Sequence, residues 1–188
     1  MSFLINHKFK WSFVHIPKTG GTSITNVLRQ IDGTEVLAGH DSVRLIKDYK
    51  DYFIFTFVRN PFTRLTSAFE HERRKGNHDI SFDVFLNTVN KKELWMLPQT
   101  YFIGDGSIIN YIGKYENFEN DLNFIFKKLD CNFKIPHVNR NPIYNRHPNL
   151  NQEKYYKFFY DTSWMKDWVR ETYKNDFKIF NYALELPR

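Results

Sequence analysis

Residues 17–23 read PKTGGTS, which brings a lysine, two adjacent glycines and three hydroxyl side chains into seven positions. A glycine-bearing turn that runs into a helix presents successive backbone N–H groups on one concave side. The helix dipole adds partial positive charge there, so the place favours an oxyanion. Lys18 contributes a full charge, Thr19, Thr22 and Ser23 contribute hydroxyl donors, and Gly20 and Gly21 let the backbone come close because no Cβ intervenes. In the triphosphate motif G-x-x-x-x-G-K-[ST] the lysine follows the glycines, and the hydroxyl after it holds magnesium. Here Lys18 precedes them. The arrangement suits an anion held without a metal, although Thr-Gly-Gly-Thr also serves as a plain strand-to-helix turn.

A second cationic segment is FTFVRNPFTRLTSAF, residues 55–69. Arg59 stands where the apolar run stops and offers a planar fork to a phosphate. Ser67, about two turns into a helix that begins near Pro61, can face the same space. A lone arginine more commonly pairs with a carboxylate on the surface, but two anion-ready segments together suggest one ligand with two separated anionic groups. No acidic residue follows the run from Tyr52 to Val58, where a magnesium-binding carboxylate is expected in a nucleotide triphosphatase.

The elements that would carry these segments follow from the apolar spacing. Trp11–Ile16 reads as a strand closed by Pro17, and Ile24, Val27, Leu28 and Ile31 mark one face of a helix that stops at Asp32 and Gly33. Tyr52–Val58 is too continuously apolar for a strand wet on one side and suits the middle of a parallel sheet. A helix follows from Pro61, with Leu65, Ala68 and Phe69 as its apolar stripe. Phe82, Phe85, Leu86 and Val89, capped by Ser81, predict another helix. Asn110–Glu116 predicts a strand, Phe118 to Leu129 a regular amphipathic helix, and Gln152 to Tyr173 further helix. Pro136 to Pro148 is read as a long polar loop. No repeat or linker divides the chain, so one domain over residues 1–188 is expected: α/β, with a central parallel sheet between helices and the ligand outside the carboxyl ends of its strands.

FVHIPKTGGTS and FTFVRNPFTRLTSAF resemble the 5′-phosphosulfate loop and the 3′-phosphate segment of sulfotransferases that use 3′-phosphoadenosine 5′-phosphosulfate (PAPS), in particular the branch that includes the carbohydrate O-sulfotransferases. The resemblance continues through Gly39 and His40, PQTYFI from Pro98, YIGKYENFENDL from Tyr111, PHVNRNP from Pro136 and YKNDFKIFNY from Tyr173. It implies a three-layer α/β/α, P-loop nucleotide-hydrolase-like sulfotransferase fold. It also implies that Lys18, Thr19, Gly20, Gly21, Thr22 and Ser23 wrap the 5′-phosphosulfate, with Lys18 steadying charge on the leaving phosphate oxygen, that Arg59 and Ser67 hold the 3′-phosphate, and that Asn139 and Arg140 close over the donor. The expected reaction moves a sulfuryl group to an acceptor hydroxyl and leaves adenosine 3′,5′-bisphosphate. Such a transfer needs a base. His40 is the candidate, since imidazole titrates near neutrality and the family often has a histidine here; Asp41, Glu70 and His71 are rivals.

Composition bounds the alternatives. With 27 Lys and Arg against 21 Asp and Glu the net charge is +6, which attracts anions. The positive residues are spread without a basic tail or a reader motif, which points away from nucleic acid and towards a small polyanion. Aromatic residues make up 18% of the chain; most are expected in the core, and the rest would suit a small-molecule or saccharide acceptor, a phenol or a peptide tyrosine. Cys131 is the single cysteine, so neither an internal disulfide nor a cysteine zinc cluster can form, and an idle thiol is expected. No metal is expected: His71 lacks a helical histidine partner, and His137 and His147 fall in the proline-broken loop. Neither a signal peptide nor a bilayer-spanning run is apparent, which predicts a soluble cytoplasmic protein. The same anion chemistry would serve a kinase-like phosphotransferase, and a basic surface alone would serve a non-catalytic module that binds polyanions or nucleic acid.

Overall fold

A computed structural model of the protein describes residues 2–38, 49, 51–76, 80–131, 133 and 152–187. In chain order the elements are β1 (Ser2–Asn6), β2 (Trp11–Val14), α1 (Gly21–Leu28), β3 (Thr34–Ala38), β4 (Phe53–Val58), α2 (Pro61–Arg74), α3 (Phe82–Thr88), α4 (Thr100–Ile103), β5 (Tyr111–Lys114), α5 (Phe118–Lys128), α6 (Gln152–Phe159), α7 (Ser163–Thr172) and α8 (Lys174–Ile179). They form two compact units: one from the chain up to Arg59 with residues from Gln99 to Phe133, the other from Asn60 to Pro98 with residues 152–187.

The first unit holds the sheet, in the order β3-β1-β2-β4-β5. β2, β4 and β5 run parallel, with Val14 beside Thr56 and Val58 beside Lys114. The sheet as a whole is mixed, which corrects the expected all-parallel arrangement, because β1 pairs antiparallel with both β2 and β3. The reason is chain length. Only residues 7–10 separate β1 from β2, with Lys10 at φ 51, whereas a parallel connection needs a dozen or more residues. Neither SFLIN nor TEVLA is among the strands expected from the sequence, being short and flanked by charge.

One face of the sheet packs Trp11, Phe13, Phe55 and Phe57 against Ile24, Val27 and Leu28 of α1 and Leu122, Ile125 and Phe126 of α5. On the alternate strand positions Val14, Ile54 and Val58 are buried as well, as the unbroken apolar run of β4 requires. α1 ends at Leu28, one turn before the expected Ile31, and Gly33 takes φ 77 in the turn that leads to β3.

Helices make up the second unit. Its core is aromatic: Phe69 meets Phe82 and Phe85 at 5.1 Å between ring centroids, and Phe82 meets Tyr160 edge-on at 5.0 Å. Much of the aromatic content is therefore interior packing. Arg64 is buried there and donates to the carbonyls of Trp95 and Leu97. The helix expected over residues 152–173 is two helices. Tyr160, whose hydroxyl donates to Phe62 O at 2.8 Å, begins the break, and the extended Thr162 stands at the N-cap position of α7. The run Asp161, Thr162, Ser163 favours a cap over a helix interior.

Where β5 gives way to α5, Asp121 gathers the turn. Its carboxylate accepts from Lys114 N at 2.6 Å, Asn117 Nδ2 at 2.7 Å and Tyr111 Oη at 3.2 Å. Asp121→Ala is expected to lower stability by about 2 kcal/mol, since charge-assisted bonds to a backbone amide are lost. Urea unfolding of the two proteins checks it.

Candidate functional site

Because β2, β4 and β5 are parallel and in register, their carboxyl ends lie along one edge of the sheet. Three segments of the first unit emerge there: residues 15–20 after β2, Arg59 after β4 and Tyr115 after β5. The loop after β2 is tightly wound, with Lys18 at φ 71 and Gly20 at φ 86. A left-handed conformation is unfavourable for a lysine and persists where its surroundings hold it. Two contacts do so. Thr19 Oγ1 donates to Ile16 O at 2.8 Å, and Arg59 Nη1 donates to Lys18 O at 3.3 Å.

Gly20 then starts α1. The N–H groups of Ser23 and Ile24 return to Gly20 O, but among the described residues no side-chain cap bond is made at this end and no acidic residue stands in the first turn. The contrast with α2 is direct, since there the Asn60 side chain accepts from Phe62 N. At the start of α1 the dipole stays uncompensated by a carboxylate, and the first amides, those of Gly21 and Thr22, have no helix carbonyl to return to, which favours an external anion. Lys18 is half-buried, Thr22 exposed and Ser23 buried, whereas Thr19 is fully buried and its hydroxyl proton is already committed to Ile16. What Thr19 can offer an anion is its backbone.

Both glycines are also fixed by aromatic neighbours. A Cβ on Gly21 would stand 2.0 Å from His15 Cδ2, and one on Gly20 would stand 2.8 Å from Phe118 Cε2. His15 is held to a pKa of about 4, first by burial and then by nearby positive charge that includes Lys18. It is neutral at pH 7.

Arg59 is 8% exposed, and its main chain is tied by one residue. Gln99 is fully buried; its Oε1 accepts from Arg59 N at 2.8 Å and its Nε2 donates to Arg59 O at 2.9 Å, so an amide side chain acts as an extra strand rung. The guanidinium lies 4.1 Å from the centre of the Tyr115 ring. Arg59 and Lys18 thus meet at one edge of the sheet.

The remaining candidates are placed as follows. Ser67 lies in α2 of the second unit, half-buried. Glu70 and His71 are on the same helix, and Glu70 is buried in an ion pair with Arg73 at 3.4 Å. His40, Asp41, Asn139 and Arg140, with His137 and His147, lie outside the described residues. The Cys131 thiol donates to Leu129 O and is pushed up by burial and then by Asp130, which disfavours its thiolate.

His15, Gln99, Tyr115 and Phe118 were not among the site residues expected from sequence. Gln99, Tyr115 and Phe118 act through neighbours distant in the chain and His15 through Gly21 six positions on; the glycines hinted at His15, Tyr115 and Phe118, and nothing near Arg59 hinted at Gln99.

The family model described as “Sulfotransferase family” matches residues 1–183, and the chain belongs to the sulfotransferase family. Over 90 residues it is 29% identical to an uncharacterized protein of Archaeoglobus fulgidus, a match covering 44% of this chain and 72% of that one. No solved structure matches. Membership supports sulfuryl transfer as the activity, and no helix among the described residues is long and apolar enough to cross a membrane.

Two outcomes follow from this geometry. Gln99→Leu leaves the buried Arg59 N–H and carbonyl without their partners and is expected to destabilise by about 2–4 kcal/mol in urea unfolding. His15 binds its proton near pH 6.5 when unfolded and near 4 when folded, so the unfolded state takes up more protons between those values. Stability should therefore fall as pH drops from 6.5 to 4, by up to roughly 3 kcal/mol before solvent screening of the partly exposed ring reduces it. His15→Gln should flatten that part of the pH–stability curve.

Proposed function

We propose that the protein transfers a sulfuryl group from PAPS to an acceptor hydroxyl, with a carbohydrate as the favoured acceptor class. The observation that carries the reading is the bond from Arg59 Nη1 to Lys18 O. It joins the two cationic segments that together suggest one doubly anionic ligand and that the family resemblance relates to its two ends. The donor set fits such a ligand: a helix start with no side-chain cap bond among the described residues, a lysine, exposed and buried hydroxyls, and an arginine over the Tyr115 ring. The three-layer, P-loop nucleotide-hydrolase-like architecture belongs to this proposal, and the parallel trio β2, β4 and β5 supports it.

In this reading Lys18, the backbone of Thr19, Gly20 and Gly21, and Thr22 and Ser23 bind the 5′-phosphosulfate, Arg59 and Ser67 bind the 3′-phosphate, and Asn139 and Arg140 close over the donor. The acceptor oxygen forms a bond to sulfur as the bond from sulfur to the 5′-phosphate oxygen breaks, and the electron pair leaves with that oxygen. Lys18 and the amides at the start of α1 neutralise the charge that develops there. His40 takes the hydroxyl proton. Glu70 is buried on α2 with its carboxylate paired to Arg73.

Adenosine 3′,5′-bisphosphate at about 100 times its dissociation constant should add about 2.7 kcal/mol of stability, raising Tm by roughly 5–10 °C without magnesium. Lys18→Ala and Arg59→Ala should each abolish most of that shift. His40→Ala should keep the shift and lose turnover of labelled PAPS with a panel of acceptors. Stabilisation by ATP with magnesium, and none by the bisphosphate, would favour a phosphotransferase instead. Tight, steeply salt-dependent nucleic-acid binding that survives both alanine variants would favour a non-catalytic module.

A further inference from the structure

Tyr115 is drawn into the site by the register of the sheet. Lys114 pairs with Val58, so the next residue of each strand, Tyr115 and Arg59, leaves the sheet at the same level. A single 3₁₀ turn, Tyr115–Asn117, follows, and Asp121 fixes it by accepting from Lys114 N and Asn117 Nδ2. On this anchored turn the Tyr115 ring touches both cationic segments. The Arg59 guanidinium sits 4.1 Å from its centroid, and a Cβ on Gly20 would stand 3.3 Å from its Cδ2 and Cε2. Phe118, 5.9 Å away between ring centroids, extends the same floor beneath Gly20.

We infer that Tyr115 is a positioning residue: its ring face holds the Arg59 guanidinium flat beside the Lys18–Gly20 turn, and so sets the spacing between the two anion-binding segments. The inference rests on the donor reading above and adds how its two halves are kept in register. A guanidinium is a rigid plane on a flexible stem, so stacking removes the stem's freedom while leaving the N–H groups at the plane's edge able to donate. One of them already does so, to Lys18 O. A ligand that meets a fork held in place loses less conformational entropy on binding than one that must order it. The role belongs to the ring and not to the phenol hydroxyl, and the two possibilities separate experimentally.

The test is calorimetric titration of adenosine 3′,5′-bisphosphate into the wild type, Tyr115→Phe, Tyr115→Leu, Tyr115→Met, Arg59→Ala and the Arg59→Ala/Tyr115→Leu double variant. The two aliphatic substitutions are measured in parallel so that misfolding of one leaves the comparison intact. Each should weaken binding by about tenfold, Tyr115→Phe should recover it, and Tyr115→Leu should add no loss once Arg59 is alanine. Without nucleotide, the Arg59 Nε–Hε signal in NMR spectra should carry a ring-current shift that Tyr115→Phe keeps and the aliphatic variants lose. Unchanged affinity in the aliphatic variants, a phenylalanine variant as weak as they are, or additive losses in the double variant would each overturn the inference while leaving the donor reading intact. A wild type that does not bind the bisphosphate would defeat the donor reading and this inference with it.

Discussion

Arg59 is held at the end of β4 from two directions. Gln99 takes both polar groups of its main chain, and Lys18 O takes one edge of its guanidinium. Parallel register makes this possible, because it brings the segments after β2, β4 and β5 to one edge of the sheet. A glycine-rich turn alone is a weak anion site, and a lone arginine alone is more often part of a surface ion pair. Joined by a hydrogen bond they become a single cationic edge. The left-handed Lys18 backbone, the start of α1 and the buried arginine are thereby brought together at that edge, an arrangement that the proposed donor site would use to present positive charge and N–H donors to an anion.

The supporting contacts are mostly apolar and aromatic. His15 lies against Gly21, Phe118 against Gly20 and Tyr115 against Arg59, so the turn rests on rings that leave no space for a Cβ. Such packing constrains geometry without adding a competing carboxylate. It also makes the two glycines necessary for different reasons. Gly20 needs a positive φ as well as room, whereas Gly21 needs the room that the His15 ring would otherwise take.

Much of this edge was legible in the sequence, because its chemistry is local. PKTGGTS carries its own turn and helix start, and the apolar run ending at Arg59 marks a buried parallel strand. What was illegible depends on distant partners. Gln99 and Arg59 are 40 positions apart, and nothing near either one announces that an amide will complete a strand. β1 and β3 were missed because each is short and gains its stability by pairing along its length. At the break after α6 the run Asp161, Thr162, Ser163 is a local signal, whereas the bond from the Tyr160 hydroxyl to the carbonyl of Phe62, 98 positions away, is one that no periodicity records.

Family membership supports sulfuryl transfer, and the proposed donor site rests on this cationic edge. The most direct test is a crystal structure of the protein with adenosine 3′,5′-bisphosphate. The account predicts the 5′-phosphate against Lys18 and the amides at the start of α1, the 3′-phosphate on the guanidinium of Arg59, and no divalent ion between them. A nucleotide seated elsewhere, or one whose two phosphates both avoid Arg59, would contradict it.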